Sequence, residues 1–211
     1  MVNLIQDVKP KEMVSAYVEA PFDTALKTLK KNNYRLISLE ENAKLIMQEG
    51  KDAYCSINGN WVKEDFIHIK DKRVYLSKNS PICENPEKTT ACHKKYQEFY
   101  LTNEQVEKSL ENSILLSKDA DNLKIPTSDF KNNKITNYVF GKYAEQYGKF
   151  LIEAGIKNMS LYFPYPNDKS FARKVWFRFL GEWIDLDGGN WSLGYRGWGL
   201  GGNLRSRGVK K

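Results

Sequence analysis

Histidine and cysteine are scarce in this chain of 211 residues: there are two of the first, His68 and His93, and three of the second, Cys55, Cys83 and Cys92. Three cysteines make an odd count with no paired spacing, which argues against a secreted disulfide framework. Structural zinc sites present two close ligand pairs such as Cys-x2-Cys. Here Cys83, Cys92 and His93, with Cys55 and His68 upstream, hold ligand residue types without that spacing, so no metal is expected. With so few histidines and no Gly-x-Ser-x-Gly, no Ser-His-Asp triad can be assembled. A phosphate-binding Walker loop is missing too, and the glycines of 197–203 (GWGLGGN) follow no strand-to-helix pattern. Nowhere do about 18 apolar residues run together, and the opening MVNLIQDVKPKEMV has no apolar core of a signal peptide. The expectation is a protein with no membrane span and no cofactor, cytoplasmic by default, with surface display as the other option.

A chain of this length buries a proper core without staples, and the simplest reading is one domain over 1–211. Lys and Arg number 33 against 26 Asp and Glu, a net charge of +7. The excess is spread along the chain and reads mainly as solubility.

Helix and strand signals alternate along the chain. Pro21 at a first helical position precedes Phe22, Ala25, Leu26 and Leu29 at helical spacing, and the pattern ends at Lys30–Asn33. Ser38 and Glu41 form a capping box for a second helix, with Leu39, Ala43, Ile46 and Met47 on one face and Gly50 as the stop. From 53 to 77 the period changes. Asn58-Gly59 reads as a hairpin turn between YCSI and WVKE, and 71–73 as a turn between FIHI and VYLS. Asn85-Pro86 can open a short helix. Thr102 and Gln105 cap a third helix carrying Val106, Leu110, Ile114 and Leu115, followed by a polar connection over 118–134. A fourth and longer helix is expected from Thr136 to Ala154, with Gly141 and Gly148 either weakening it or admitting a neighbour. Residues 159–163 read as a strand. His68, between Ile67 and Ile69, reads as an ordinary surface or satisfied histidine.

The stretch from Arg173 to Val209 is different in kind. Four of the chain's five tryptophans lie there, Trp176, Trp183, Trp191 and Trp198, among glycines and short polar residues. Strands favour aromatics and disfavour Gly, Asn and Asp, so short strands with large loops are expected. Leu180, Ile184 and Leu186 fall on one alternating set and Gly181, Trp183, Asp185 and Asp187 on the other, which gives one buried and one free face. Asp185 and Asp187 would face one way. They could serve a glycosidase or a metal, but exposed strand carboxylates explain them as well. Tyr195, Arg196 and Trp198, with Arg205, Arg207, Lys210 and Lys211, interleave stacking platforms with cations as single-stranded nucleic acid requires. Nucleic-acid binding is therefore the alternative function.

The layout of this stretch is a Val-Trp-Phe-Arg strand, then Leu180, Ile184 and Leu186, then Trp191-Ser192-Leu193, then a closing Leu204-Arg205-Ser206-Arg207-Gly208-Val209. It resembles the variable region of diversity-generating retroelement proteins, most closely the archaeal ones. The resemblance covers about 173–209. It implies an α+β C-type lectin-like fold of the formylglycine-generating-enzyme type, with small mixed antiparallel sheets and two main helices. It also implies a ligand-binding module, not an enzyme, that displays a hypervariable surface to an unknown macromolecule, a protein before a nucleic acid. In such systems adenines of Asn codons are mutated, which reaches most residues but not Trp or Glu. That logic makes Gly181, Asp185, Asp187, Asn190, Ser192, Gly194, Tyr195, Gly197, Gly199 and Asn203 candidate variable positions. Trp176, Trp191, Leu180, Leu186 and Leu193 become scaffold. Phe179, Trp183 and Trp198 join the ligand-binding set by position alone, since the two tryptophans cannot arise from an Asn codon and a core Phe looks the same. The fold subtype's oxidase chemistry needs late cysteines that this chain lacks. The Glu-Pro-Asn, Gln-Pro-Asp and Trp-Asn-Asp motifs of calcium-dependent sugar binding are absent, which leaves only Asp185 and Asp187 as calcium ligands.

Overall fold

A computed structural model describes residues 2, 4–6, 13–95, 97–163, 167–180, 183–187 and 205–210, with positions 6, 178–180, 183–185 and 187 described by backbone alone. In chain order the elements begin with β1 (Leu4–Gln6), β2 (Ser15–Glu19), α1 (Phe22–Lys31), β3 (Tyr34–Leu36), α2 (Leu39–Glu49), α3 (Tyr54–Ile57), β4 (Asn60–His68) and β5 (Val74–Ser77). Next come α4 (Pro81–Glu84), α5 (Pro86–Lys94), β6 (Phe99–Tyr100), α6 (Asn103–Leu110), β7 (Ser113–Ser117) and β8 (Leu123–Pro126). The last are α7 (Lys134–Phe140), α8 (Ala144–Glu153), β9 (Asn158–Tyr162), β10 (Phe171–Leu180), β11 (Trp183–Asp187) and β12 (Arg205–Lys210). The strands join in one hydrogen-bonded network whose spine runs β1-β2-β12-β4-β10-β11-β9-β8, with β3 on β12, β5 on β4, β7 on β5 and β6 on β10. Most pairings are antiparallel, but β11 runs parallel to β9 and β12 parallel to β4.

Each face of this sheet has its own apolar layer. On one, Phe22, Ala25 and Leu29 of α1 pack against Ala16, Val18, Trp61, Ile67, Ala172 and Trp176. On the other, α2, α7 and α8 bring Leu39, Ile46, Phe140, Tyr147 and Leu151 against Val62, Phe66, Val175, Phe177, Met159, Leu161 and Leu186. Alternate residues of β4 and β10 feed opposite layers, as a pleated strand requires. The helices start where the sequence signals them. Ser38 and Glu41 make both capping-box bonds, at 3.3 and 3.0 Å, and Thr102 and Gln105 do the same at 3.2 and 3.1 Å. Gly50, at φ +94°, ends α2. Pro21 stands one position earlier than expected, as the N-cap residue of α1.

A register shift in β4 shapes the centre of the sheet. Lys174 pairs with Asp65 and Trp176 with Trp61, so Val175 alone spans positions 62–64 of β4. Such a bulge re-aims the residues within it. Here the Lys63 amide reaches the Ile37 carbonyl at 2.8 Å, and Glu64 accepts the Leu39 amide at 3.0 Å, adding a second cap to α2.

Five expectations need correction. YCSI is not a strand but α3, because the Ser56 hydroxyl reaches the Gly50 carbonyl at 2.6 Å and Tyr54 stacks on Tyr17 at 5.1 Å. The glycine of Asn58-Gly59 therefore serves a close approach and not a hairpin, since a Cβ there would lie 2.5 Å from the Trp176 indole nitrogen. Ile114 and Leu115 belong to β7, paired with β5, and α6 stops at Leu110. The connection over 118–134 contains the edge strand β8. The long fourth helix is broken at Gly141, whose φ of +55° an L-residue rarely adopts and whose missing side chain makes room for the Glu40 carboxylate. Gly148 lets the Phe130 side chain approach, the second of the two roles expected for it.

Candidate ligand-binding surface

β10 and β11 form a hairpin in the register Trp176↔Asp187, Phe177↔Leu186, Arg178↔Asp185, Phe179↔Ile184 and Leu180↔Trp183. Cross-strand partners share a face of the pleat. Positions 177 and 179 thus lie on the face of 184 and 186, and positions 176, 178 and 180 on that of 183, 185 and 187. Leu186 is fully buried with Phe177, as the alternation requires. Leu180 departs from expectation. Carrying the even positions straight from 180 to 184 ignores the chain reversal, and because 180 and 183 are partners, even positions of β10 share a face with odd positions of β11. Phe179 correspondingly stands at the register position across from Ile184.

The same register continues into the neighbouring strands. Trp183, Asp185 and Asp187 pair with Asn158, Ser160 and Tyr162 of β9, and Ser160 and Asn158 pair with Lys124 and Pro126 of β8. Met159 and Leu161, the alternate residues of β9, are fully buried beside Leu186. One row therefore crosses six strands: Val18, Ser206, Trp61, Trp176, Asp187, Tyr162. Its burial changes along the way. Val18 and Ser206 are fully covered, Trp61 and Trp176 are 4% and 9% exposed, and Tyr162 is 42% exposed. The α1 layer ends at the tryptophans, and β9 and β8 show Tyr162 and Lys124 to solvent.

The two tryptophans pack edge to face, ring centroids 4.8 Å apart at 73°. They lie between Asp187, at the end of β11, and Arg205, at the start of β12. β12 is fixed side chain by side chain. Arg205 pairs with Glu19 at 2.7 Å, donates to Asn58 Oδ1 at 2.8 Å and lies over the stacked rings of Tyr17 and Tyr54. Arg207 is fully buried, over Tyr17 and 3.4 Å from Asn60 Oδ1. Gly208 admits no Cβ, since one would come 2.7 Å from Leu29 Cδ2 and 3.1 Å from the Arg35 carbonyl oxygen. Val209 enters the core of the α2 face. The closing Arg-x-Arg-Gly-Val is thus explained residue by residue as scaffold.

Of the candidate ligand-binding residues, Phe179, Trp183, Asp185 and Asp187 are placed by their backbone. Gly181, Asn190, Ser192, Gly194, Tyr195, Gly197, Trp198, Gly199 and Asn203 lie outside the described residues. Asn158, Tyr162 and Lys124 share the face of 183, 185 and 187 and were missed, with Ser160 on the same face but buried. The signal was present in the alternation of Met159-Ser160-Leu161-Tyr162, but only the pairing of β9 with β11 gives it meaning.

Charged groups with displaced pKa values sit within the layers. Burial pushes the Glu64 carboxyl up to about 7. His68, expected at the surface or hydrogen-bonded, is buried flat against its cross-strand partner Phe171 at 4.4 Å, with neither ring nitrogen hydrogen-bonded to a described residue. That burial, with Arg173 adding to it, lowers its pKa to about 3. Among the described residues no three His, Cys, Asp or Glu side chains gather as a metal site would require, and no helix is long and apolar enough to cross a membrane.

No protein-family model matches the chain, and no curated protein matches it in sequence. Its structure is similar to a solved one described as "Accommodation of massive sequence variation in Nanoarchaeota by the C-type lectin fold". The two share 14% identity and superpose with a TM-score of 0.65 over 97% of this chain and 99% of that one. At that identity the likeness is one of fold, and the likeness spans nearly all of both chains. The chain has the C-type lectin fold.

Proposed function

We propose that the chain is a variable ligand-binding protein of a diversity-generating retroelement, a binding module and not a catalyst, whose surface at about 173–209 is diversified to recognise a macromolecule. The observation that carries this reading is where the diversifiable stretch is attached. Positions 187 and 206 stand in one cross-sheet row with β10 and β4 between them. At roughly 4.8 Å per strand spacing, positions 187 and 206 are about 14 Å apart. The described residues on either side of the 188–204 segment are held by buried tryptophans and a paired arginine, which gives the stretch a fixed frame on both sides. Support also comes from the structural neighbour, whose description couples this fold to massive sequence variation. The chemistry of the stretch suits a protein ligand, for Tyr195, Trp183 and Trp198 among Gly, Ser, Asn and Asp have the make-up of an adaptable recognition surface.

Nucleic acid is the weaker reading. It would draw on Arg205 and Arg207, yet one is paired with Glu19 and the other is fully buried. A comparison on affinity resin tests the proposal. Surface-protein extract from the cells that carry the gene is passed over the protein and over a variant with Asp185, Asp187, Asn190, Ser192 and Tyr195 all changed to Ala. A protein retained by the first and lost by the second, with affinity changing less than about tenfold between 50 and 200 mM salt, is the expected result. Equal retention on both would remove the surface from the account. A loss of about 10³-fold or more with salt would transfer it to nucleic acid.

A further inference from the structure

Lys174, on β10, is fully buried, and its Nζ touches four polar atoms: Asp65 Oδ1 at 2.6 Å, the Lys63 carbonyl oxygen at 2.7 Å, Ser80 Oγ at 3.2 Å and Cys83 Sγ at 3.2 Å. An ammonium has three N–H groups, so four neighbours cannot all be served at once. Asp65 is fully buried as well, and its other oxygen accepts from Ser80 Oγ at 2.5 Å and the Ile82 amide at 3.2 Å. Sulfur is the weakest acceptor of the four, and Cys83 has its own outlet in the Lys63 carbonyl at 3.7 Å. The Nζ–Sγ approach is therefore a contact between two nucleophilic atoms held together by the groups around them.

We infer that Cys83 and Lys174 form a covalent modification site: under a peroxide oxidant the two side chains join through a sulfur–nitrogen bond, tying β10 to α4. The chemistry balances in two steps. Hydrogen peroxide passes one oxygen atom to the Cys83 thiol, giving a sulfenic acid and water. The Nζ lone pair then attacks that sulfur, the S–O bond breaks, and the departing hydroxyl takes a proton from nitrogen to leave as a second water. Thiol, amine and one peroxide thus become a sulfenamide and two waters, the sulfur being oxidised and the peroxide reduced. Sulfenic acids condense with nitrogen nucleophiles in this way.

The surroundings favour the second step. Burial lowers the Lys174 pKa, but Asp65 and Cys83 beside it raise it further, so the lone pair is freed only when the ammonium passes a proton to Asp65 along their 2.6 Å hydrogen bond. In a fully buried site a neutral acid and amine avoid the desolvation cost of two charges. A separation of 3.2 Å lies within the range of about 3 to 3.5 Å from which attack proceeds. Cys83 is only partly buried as a residue, which leaves a way in for peroxide. Burial raises its thiol pKa, with the Lys174 charge opposing the rise, so the first oxidation is the slow step.

The test uses the full chain treated with hydrogen peroxide and read by intact mass and tryptic mapping. The expected product is about 2 Da lighter than the reduced protein and reverts with dithiothreitol. In it, trypsin fails to cut after Lys174, and the peptide containing Lys174 is joined to that of Cys83. Its melting temperature rises, because a link between distant positions restricts the unfolded chain. Cys83→Ser abolishes the product, and so does Lys174→Arg, which keeps a cation beside Asp65. Three results would overturn the inference: Cys83 going on to sulfinic acid while Lys174 is still cut, the lost mass mapping to a disulfide with Cys55 or Cys92, or Cys83 failing to react.

Discussion

Trp176 meets Trp61 edge to face at 4.8 Å on one side and is the register partner of Asp187 on the other. That places a covered side chain of the α1 layer next to the backbone of Asp187, in the row that ends at the exposed Tyr162. Both rings are mostly buried, so they act as a foundation and not as part of the surface. Replacing either with Ala should cost about 3 to 5 kcal/mol of stability, and Trp176→Phe less than half of that. Urea unfolding reads the difference, and a loss under about 1 kcal/mol for the Ala variants would mean the pair does not anchor the hairpin.

Two glycines report on how tightly the return strand and the hairpin are seated. Gly208→Ala must displace Leu29 and press on the Arg35 carbonyl, and Gly59→Ala must displace the Trp176 indole. Each should lower stability by about 1 to 3 kcal/mol, with thermal melts as the readout. An unchanged Gly208→Ala protein would show that β12 has room against α1.

Glu64 should make stability depend on pH. Its folded pKa of about 7 lies above the ordinary 4.5, so between these values the folded chain binds more protons than the unfolded one. The contribution is fully present below pH 4.5 and is lost as pH rises through 7, an amount of up to about 3 kcal/mol. Glu64→Gln keeps an acceptor for the Leu39 amide but does not titrate. The variant should match the wild type near pH 4.5 and be the more stable of the two at pH 8. Parallel stability curves from pH 4.5 to 8 would rule out a carboxyl buried in this way.

Core and surface on the β9–β11 sheet should separate cleanly by alternation. Leu186→Ala should cost about 2 to 5 kcal/mol. Tyr162→Ala, on the opposite face and exposed, should stay within about 0.5 kcal/mol. A Tyr162→Ala variant as damaged as Leu186→Ala would mean that the face is covered.

What could be read in the sequence follows from how local its cause is. Capping boxes act over four residues, so Ser38–Glu41 and Thr102–Gln105 were legible, as was the turn between β4 and β5. YCSI misled because its helical state is decided by distant partners, Tyr17 and the Gly50 carbonyl. Ile114 and Leu115 kept helical spacing to Leu110 by coincidence, and only β5 makes them a strand. Leu180 was grouped with Ile184 and Leu186 for a topological reason, since a reversal of the chain changes which parity shares a face. The surface at Tyr162 and Lys124 was invisible for a similar reason, because it exists only through a parallel pairing between β9 and β11. In contrast, the C-terminal stretch from Arg173 stood out by composition alone, and its closing Arg-Ser-Arg-Gly-Val proved to be set by packing at each residue described.

If, as we propose, a retroelement writes the stretch from 173 to 209 onto a fixed C-type lectin scaffold, DNA sequencing on either side of the gene will show it. The expected result is a near-copy of the codons for these residues close by, next to a reverse-transcriptase gene, differing from the gene almost only where the copy has adenine. Differences should fall at positions such as Asp185, Asp187, Asn190, Ser192 and Tyr195, while the codons for Trp176, Leu186, Arg207 and Gly208 match. A neighbourhood with no such repeat, or a repeat whose differences fall on the scaffold positions, would contradict it.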